Sequence, residues 1–242
     1  MAYLPKKLKG IKAVFFDLDG TLYTYRGEAP QVKSELNALQ FFSKKYKLSI
    51  FEAHSQYIRA KKAYVKSQSG TPASGDREKW FLALLNSCGI RDAKLAKQMR
   101  ALYWKTLLRE IAPYADFKLI YPRIKQKYIT GVISDGIRKF QLPRLNKVGC
   151  KFDYILFSSD VGVEKPNEKI YLYALKLAKV KPHEAVYIGD RPWRDVKGAK
   201  QLGIHTIWLR RGYIPPYDCP LPKDCEPEFT IESFLELGAL LL

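Results

Sequence analysis

Six short apolar runs, spaced along the chain with helix-like stretches between them, constrain its fold more than any other feature. They are Ala13–Phe16, Tyr128–Ile133, Tyr154–Phe157, Ala185–Ile188, Thr206–Leu209 and Phe229–Ile231. Each is short and free of surface-like alternation, so each reads as a buried strand. Helical periodicity fills the intervals at Lys139–Val148, Glu168–Ala178 and Trp193–Leu202. Strands alternating with helices predict βαβ units, an α/β fold whose mostly parallel sheet is flanked by helices. Sites in such sheets lie just past the carboxyl ends of the strands. Polar clusters that directly follow the apolar runs are therefore the places to look for chemistry.

The alternation breaks between residues 23 and 111. Gln31–Tyr46, Ile50–Ser67, Arg77–Asn86 and Ala93–Glu110 read as helices, and no strand pattern lies among them. Ser69–Gly75, rich in Gly, Ser and Pro, reads as a flexible joint. Ala112-Pro113-Tyr114 marks the return to the sheet. The expected organisation is an α/β core of residues 1–22 and 112–242, interrupted after its first strand by an all-helical insert of residues 23–111. A Pro-rich loop (Pro215, Pro216, Pro220, Pro222, Pro227) precedes the last strand and helix.

The 242 residues suffice for one sizeable core with a smaller module. No apolar run approaches the roughly 18 residues of a membrane span, and Met1–Gly10 lacks the apolar h-region of a secretory signal. A cytoplasmic protein with no membrane partner is expected. Cys88, Cys150, Cys219 and Cys225 are too scattered for a disulfide framework; a Cys219–Cys225 bridge across the Pro-rich loop is conceivable, but free thiols are the expectation. The formal net charge of +18 suits an anionic ligand without choosing among anions. Nucleic acid is not the expected one, because no zinc-finger spacing, Gly-rich RNA signature or aromatic-laced basic stripe is present. Oligomeric state has no signal in the sequence.

Four polar clusters follow apolar runs. Asp17-Leu18-Asp19-Gly20-Thr21-Leu22 places two carboxylates just past Ala13–Phe16, and residues two apart in extended chain share a side. Such a pair can divide labour between nucleophile and acid–base group, with Gly20 permitting the tight turn. Ser134-Asp135-Gly136 adds a hydroxyl and backbone N–H groups suited to phosphoryl oxygens. Val163-Glu164-Lys165-Pro166 holds a lysine beside a rigid proline. Gly189-Asp190, with Asp195 further on, offers hard oxygen ligands of the kind Mg²⁺ takes. Each alone is also an ordinary turn, cap or exposed charge; their weight comes from occurring together, in this order.

Together they resemble the haloacid dehalogenase superfamily, over the whole α/β core, and the insert falls where that superfamily carries its type-1 helical cap. The resemblance implies a Rossmann-like core and a Mg²⁺-dependent reaction. It implies Asp17 as the nucleophile that forms an aspartyl-phosphate, and Asp19 as the acid that protonates the leaving oxygen and later activates water. Ser134, Asp135 and Lys165 would hold the phosphoryl group. Asp190 would bind Mg²⁺ with the Asp17 carboxylate and the Asp19 main-chain carbonyl, and Asp195 would orient metal-bound water from behind them.

Asp19 bears on the reaction type. Family members that attack carbon–halogen bonds typically lack this second carboxylate, because halide leaves without a proton. The expectation is a phosphatase acting on a small phosphorylated metabolite, with a sugar-phosphate phosphomutase as the alternative. The insert carries roughly +10 of the net charge and should set the substrate. Arg26, Arg59, Lys61, Lys62 and Arg77 are candidates for a second anionic group, and Tyr23, Tyr25, Tyr64 and Trp80 for stacking or polar contacts. Trp80-Phe81 also has the spacing of a helix core. His54, His183 and His205 show no metal spacing or triad partner.

Overall fold

The computed structural model describes residues 7–24, 30–211 and 221–242. Strand β1 (Ala13–Phe16) is buried at all four positions, as a strand covered on both faces must be. Its side chains alternate between two cores. Ala13 and Phe15 join a cluster with Ile133, Leu156, Ile170, Tyr171 and Tyr187. Phe16 packs on the opposite face, its ring 5.5 Å from Phe117 and 6.3 Å from Phe234.

Five further strands complete the sheet: β2 (Ile129–Ser134), β3 (Tyr154–Phe157), β4 (Ala185–Gly189), β5 (His205–Leu209) and β6 (Phe229–Ile231). Their order is β3-β2-β1-β4-β5-β6, and these six strands pair in parallel throughout. The Rossmann-like α/β fold expected from the alternating runs is the fold observed.

The chain divides into two compact units, Met1–Thr24 with Ala112–Leu242, and Tyr25–Ile111. Among its described residues the second holds the helices α1 (Pro30–Tyr46), α2 (Ile50–Ser67), α3 (Arg77–Ser87) and α4 (Ala93–Glu110). Their starts are written in the sequence. Ser49 and Glu52 form a capping box at α2, while Asp76 and Asp92 accept backbone N–H bonds at α3 and α4. Ser69–Gly75 differs from the flexible joint expected. Its Pro72–Gly75 portion is a 3₁₀ turn whose carbonyls take bonds from Tyr64, Arg77 and Trp80. Neighbouring side chains satisfy that backbone, which composition alone does not reveal.

Around the sheet lie α5 (Ala115–Lys127), α6 (Arg138–Val148), α7 (Ser158–Val161), α8 (Glu168–Ala178), α9 (Lys197–Gln201) and α10 (Leu237–Leu241). Helix α5 has no counterpart among the helices expected from the sequence, although Phe117, Ile120, Tyr121 and Ile124 recur at helical spacing and are buried. Pro122 inside the run masks that pattern. The helix expected over Trp193–Leu202 begins instead as a π-helical turn, Pro192–Val196, before α9. No helix among the described residues is long and apolar enough to cross a membrane. Cys88, Cys150 and Cys225 carry free thiols; Cys219, and with it the Cys219–Cys225 pairing, lies outside the described residues.

Candidate active site

Strand register decides what meets at the carboxyl edge of the sheet. Phe16 pairs with Val132 of β2 and with Ile188 of β4, so Asp17 comes level with Ile133 and Gly189. Ser134 closes β2, and Asp190 follows the end of β4. The Asp17 N–H donates to the Ile188 carbonyl at 2.9 Å, which holds the nucleophile candidate in line with the sheet. Strands β2 and β3 lie to one side of β1 and β4 to β6 to the other. Asp17 thus stands at the point where the chain's crossovers reverse direction, the usual ligand crevice of such sheets.

Lys165 reaches this point from the loop before α8, whose first turn is capped by Asn167. Its Nζ donates to Asp17 Oδ1 and to Asp195 Oδ1, each at 2.6 Å, and to the Tyr187 hydroxyl at 2.9 Å. That hydroxyl donates onward to the Ile133 carbonyl at 3.0 Å. Thr21 donates to the other Asp17 oxygen at 3.1 Å. Burial raises the Asp17 carboxyl to about 7, against the opposing pull of Lys165 and with Asp195 adding to the rise. Burial also works against the charge of Lys165, but the carboxylates of Asp17 and Asp195 outweigh it and lift this amine well above the ordinary lysine range.

The Asp135 carboxylate has partners of its own. It accepts from the Lys165 N–H at 2.9 Å and pairs with Arg194 at 3.1 Å, while Arg194 also bonds Glu164 at 2.8 Å. The motif of Asp135 thereby fixes the loop that carries Lys165. Burial raises the Asp135 carboxyl, with Lys165 and Arg194 opposing.

Asp17, Asp190 and Asp195 each offer a carboxylate oxygen, all within 4.8 Å of one another. Two glycines make this approach possible. Gly20 adopts φ +90°, and a Cβ there would lie 2.5 Å from Asp190 Oδ2. A Cβ on Gly189 would fall 2.3 Å from Cγ of Asp195. Side chains at either position would occupy the space the carboxylates fill. Three converging hard oxygen donors, crowded against glycine backbone, fit a small divalent cation such as Mg²⁺. Asp195 is no ordinary first-turn acid: it is 1% exposed, accepts from Lys165 and the Arg191 N–H, and lies 3.3 Å from the Tyr187 hydroxyl. The wide π turn lets it point back at Lys165 before α9 begins.

Asp19 turns to different partners. Its Oδ1 is paired with Arg144 Nη1 at 2.7 Å and takes a short bond from the Tyr23 hydroxyl, and its Oδ2 accepts from Gln141 Nε2 at 3.0 Å. Tyr23, expected to contact substrate from the insert, belongs to the first unit and is spent on Asp19. Arg144, Gln141, Tyr187 and Arg194 are site residues the motifs did not single out. A signal existed for two of them. The buried face of α6 is Gln141, Arg144, Leu145 and Val148, polar in its first half and apolar in its second. Polar residues at core spacing next to a strand end mark a site.

In the helical unit, Lys61 is 2.5 Å from Glu35 and sits over the Trp80 ring, and Arg77 stacks on Trp80 and Tyr103. These cations serve the packing of their own unit. Trp80 and Phe81 are buried as core. Arg59 and Lys62 are exposed and Tyr64 half-buried; Tyr25 and Arg26 lie outside the described residues. His205 is paired with Glu228 at 2.6 Å.

Residues 11–203 match the family model described as haloacid dehalogenase-like hydrolase. The glyceraldehyde 3-phosphate phosphatase of Methanopyrus kandleri is 30% identical over 232 residues, covering 94% of this chain and 95% of that one. Human N-acylneuraminate-9-phosphatase is 26% identical over 244 residues, covering 97% and 95%. Among solved structures, a phosphatase of the same superfamily from Thermococcus onnurineus superposes with a TM-score of 0.68 at 24% identity, over 96% of this chain and all of that one.

Proposed function

The chain belongs to the haloacid dehalogenase-like hydrolases, and from that premise we propose that it is a phosphatase that hydrolyses small phosphorylated metabolites through a phosphoryl group carried on Asp17. One observation carries the reading. A buried carboxylate at the switch point of the sheet faces a buried lysine at 2.6 Å, with two more carboxylates converging beside it.

In the first step an oxygen of Asp17 attacks phosphorus, and the bond to the leaving alcohol breaks. Asp19, two residues away, supplies the proton the leaving oxygen needs. In the second step Asp19 takes a proton from water as that water attacks phosphorus, which returns Asp17 and frees phosphate. Lys165 and the Ser134 hydroxyl hold the phosphoryl oxygens. Asp135 joins them through its backbone N–H, since its carboxylate is engaged by Lys165 and Arg194. Asp17 and Asp190, with the Asp19 carbonyl, would hold Mg²⁺ in front of Asp195. The ion, when bound, would offset the repulsion between a carboxylate and a phosphate dianion.

The two curated relatives are both named as phosphatases of phosphorylated metabolites, and the net charge of +18 suits the same anionic class. A small soluble substrate also suits the cytoplasmic setting expected from the sequence. Asp19 argues against carbon–halogen cleavage, which needs no acid.

The test is phosphate release from p-nitrophenyl phosphate and a panel of sugar, triose and nucleoside monophosphates, with and without Mg²⁺. Turnover that requires Mg²⁺ and disappears in Asp17→Asn supports the proposal. Full activity of Asp17→Asn, or phosphate moved between positions of a sugar with no release, overturns it.

A further inference from the structure

Arg144 is 3% exposed, on the inner face of α6. Removing a guanidinium from water costs several kcal/mol unless it is paired, and an apolar residue would pack this helix face as Leu145 and Val148 do. The pairing this chain provides is with Asp19, at 2.7 Å. Nε of Arg144 donates to the Phe140 carbonyl at 3.2 Å, so the head of the side chain is anchored to its own helix as well.

Gln141, one turn earlier, completes the arrangement. Its Nε2 donates to Asp19 Oδ2 at 3.0 Å and lies 3.3 Å from Ser134 Oγ, and it bonds the Asp135 carbonyl. The Asp19 carboxyl is thus held on the Ser134 side of Asp17, where the phosphoryl oxygens of the proposed reaction lie. A carboxyl on a turn would otherwise spread over several staggered rotamers.

Resting on the reading of Asp19 as the acid, we infer that Arg144 is a positioning residue, which fixes the Asp19 carboxyl where the leaving oxygen departs. An acid works only within about 2.6–3.2 Å of the oxygen it protonates. A misplacement of about 1 Å is enough to cost on the order of 10²-fold. Arg144 acts on the reaction through its contact with Asp19.

A poor leaving group needs the acid and a good one does not. The experiment compares kcat/KM for phenyl phosphate and p-nitrophenyl phosphate, of similar shape but unequal leaving ability, in the Mg²⁺-supplied wild type, Arg144→Met, Arg144→Lys, Asp19→Asn and the double variant. Arg144→Met is expected to lose roughly ten- to a hundredfold more on phenyl phosphate than on p-nitrophenyl phosphate. Arg144→Lys keeps the charge and recovers part of that selective loss, so it carries the test if Arg144→Met does not fold. In the Asp19→Asn background, Arg144→Met should change kcat/KM by less than about twofold, because the carboxyl through which it acts is already gone. Equal losses on both substrates, or a further large loss in the double variant, would overturn the inference and leave the acid assignment standing. If Asp19→Asn itself fails to discriminate between the two leaving groups, the acid assignment falls and this inference with it.

Discussion

Nζ of Lys165 lies 2.6 Å from Oδ1 of Asp17, with both groups almost fully buried. The lysine is the charge that lets two carboxylates, Asp17 and Asp195, share a site away from water. Replacing it with methionine leaves both without that partner. We expect Lys165→Met to abolish measurable phosphate release and to lower the free energy of unfolding by about 3–5 kcal/mol. Urea titration beside a phosphate assay checks both. Unchanged stability would mean that water or another group already compensates the pair.

Close approach at the two glycines gives a second expectation. Gly189→Ala puts a methyl 2.3 Å from the Asp195 carboxyl carbon, and Gly20→Ala puts one 2.5 Å from Asp190 Oδ2 on backbone at φ +90°. Each should cost about 1–3 kcal/mol, Gly189→Ala by overpacking and Gly20→Ala by backbone strain as well. Gly20→Ala should also raise the Mg²⁺ concentration for half-maximal activity, because it presses on Asp190. A normal Mg²⁺ titration in that variant would remove Asp190 from the proposed ligands.

Asp116, far along the chain from the nucleophile, shows how the core unit depends on pH. It starts α5 and accepts from the Ser233 hydroxyl at 2.8 Å and the Phe234 N–H at 2.9 Å, and it is paired with Arg211. Burial pushes this carboxyl up, but Ser233, Arg211 and Phe234 together hold it below the usual range. A carboxyl depressed in the folded state stabilises fully above its unfolded value, about 3.9, and loses that contribution as pH falls below it. Asp116→Asn should therefore cost about 1–2 kcal/mol at neutral pH. The gap between variant and wild type should close as pH drops below about 4. A gap that stays constant down to pH 3 would show that packing, not charge, is lost.

The sheet was legible because its strands are buried on both faces and read as unbroken apolar runs, Ala13–Phe16 above all. Asp17, Ser134, Lys165 and Asp190 were legible because each follows a strand or sits in a motif of fixed order. Gln141 and Arg144 leave only a faint trace, their helical spacing with Leu145 and Val148 on α6, because a helix period does not say which polar residues turn inward. Tyr23 lies at the junction with the insert, and its hydroxyl goes back to Asp19, a contact made by the turn and not by any pattern. Helix α5 hid behind Pro122. The π turn at Pro192–Val196 looks in sequence like the first turn of an ordinary helix, and only the need for Asp195 to reach Lys165 separates the two.

The central claim is that Asp17 carries the phosphoryl group. In Asp19→Asn, p-nitrophenol can still leave without an acid, while hydrolysis of the acyl phosphate lacks its base, so the intermediate should accumulate. Quenching that reaction with borohydride reduces an acyl phosphate to the alcohol, and peptide mass spectrometry then locates the change. We expect homoserine at position 17, appearing together with a stoichiometric burst of p-nitrophenol. A burst with the modification on any residue other than Asp17, or turnover that leaves Asp17 unmodified throughout, would contradict it.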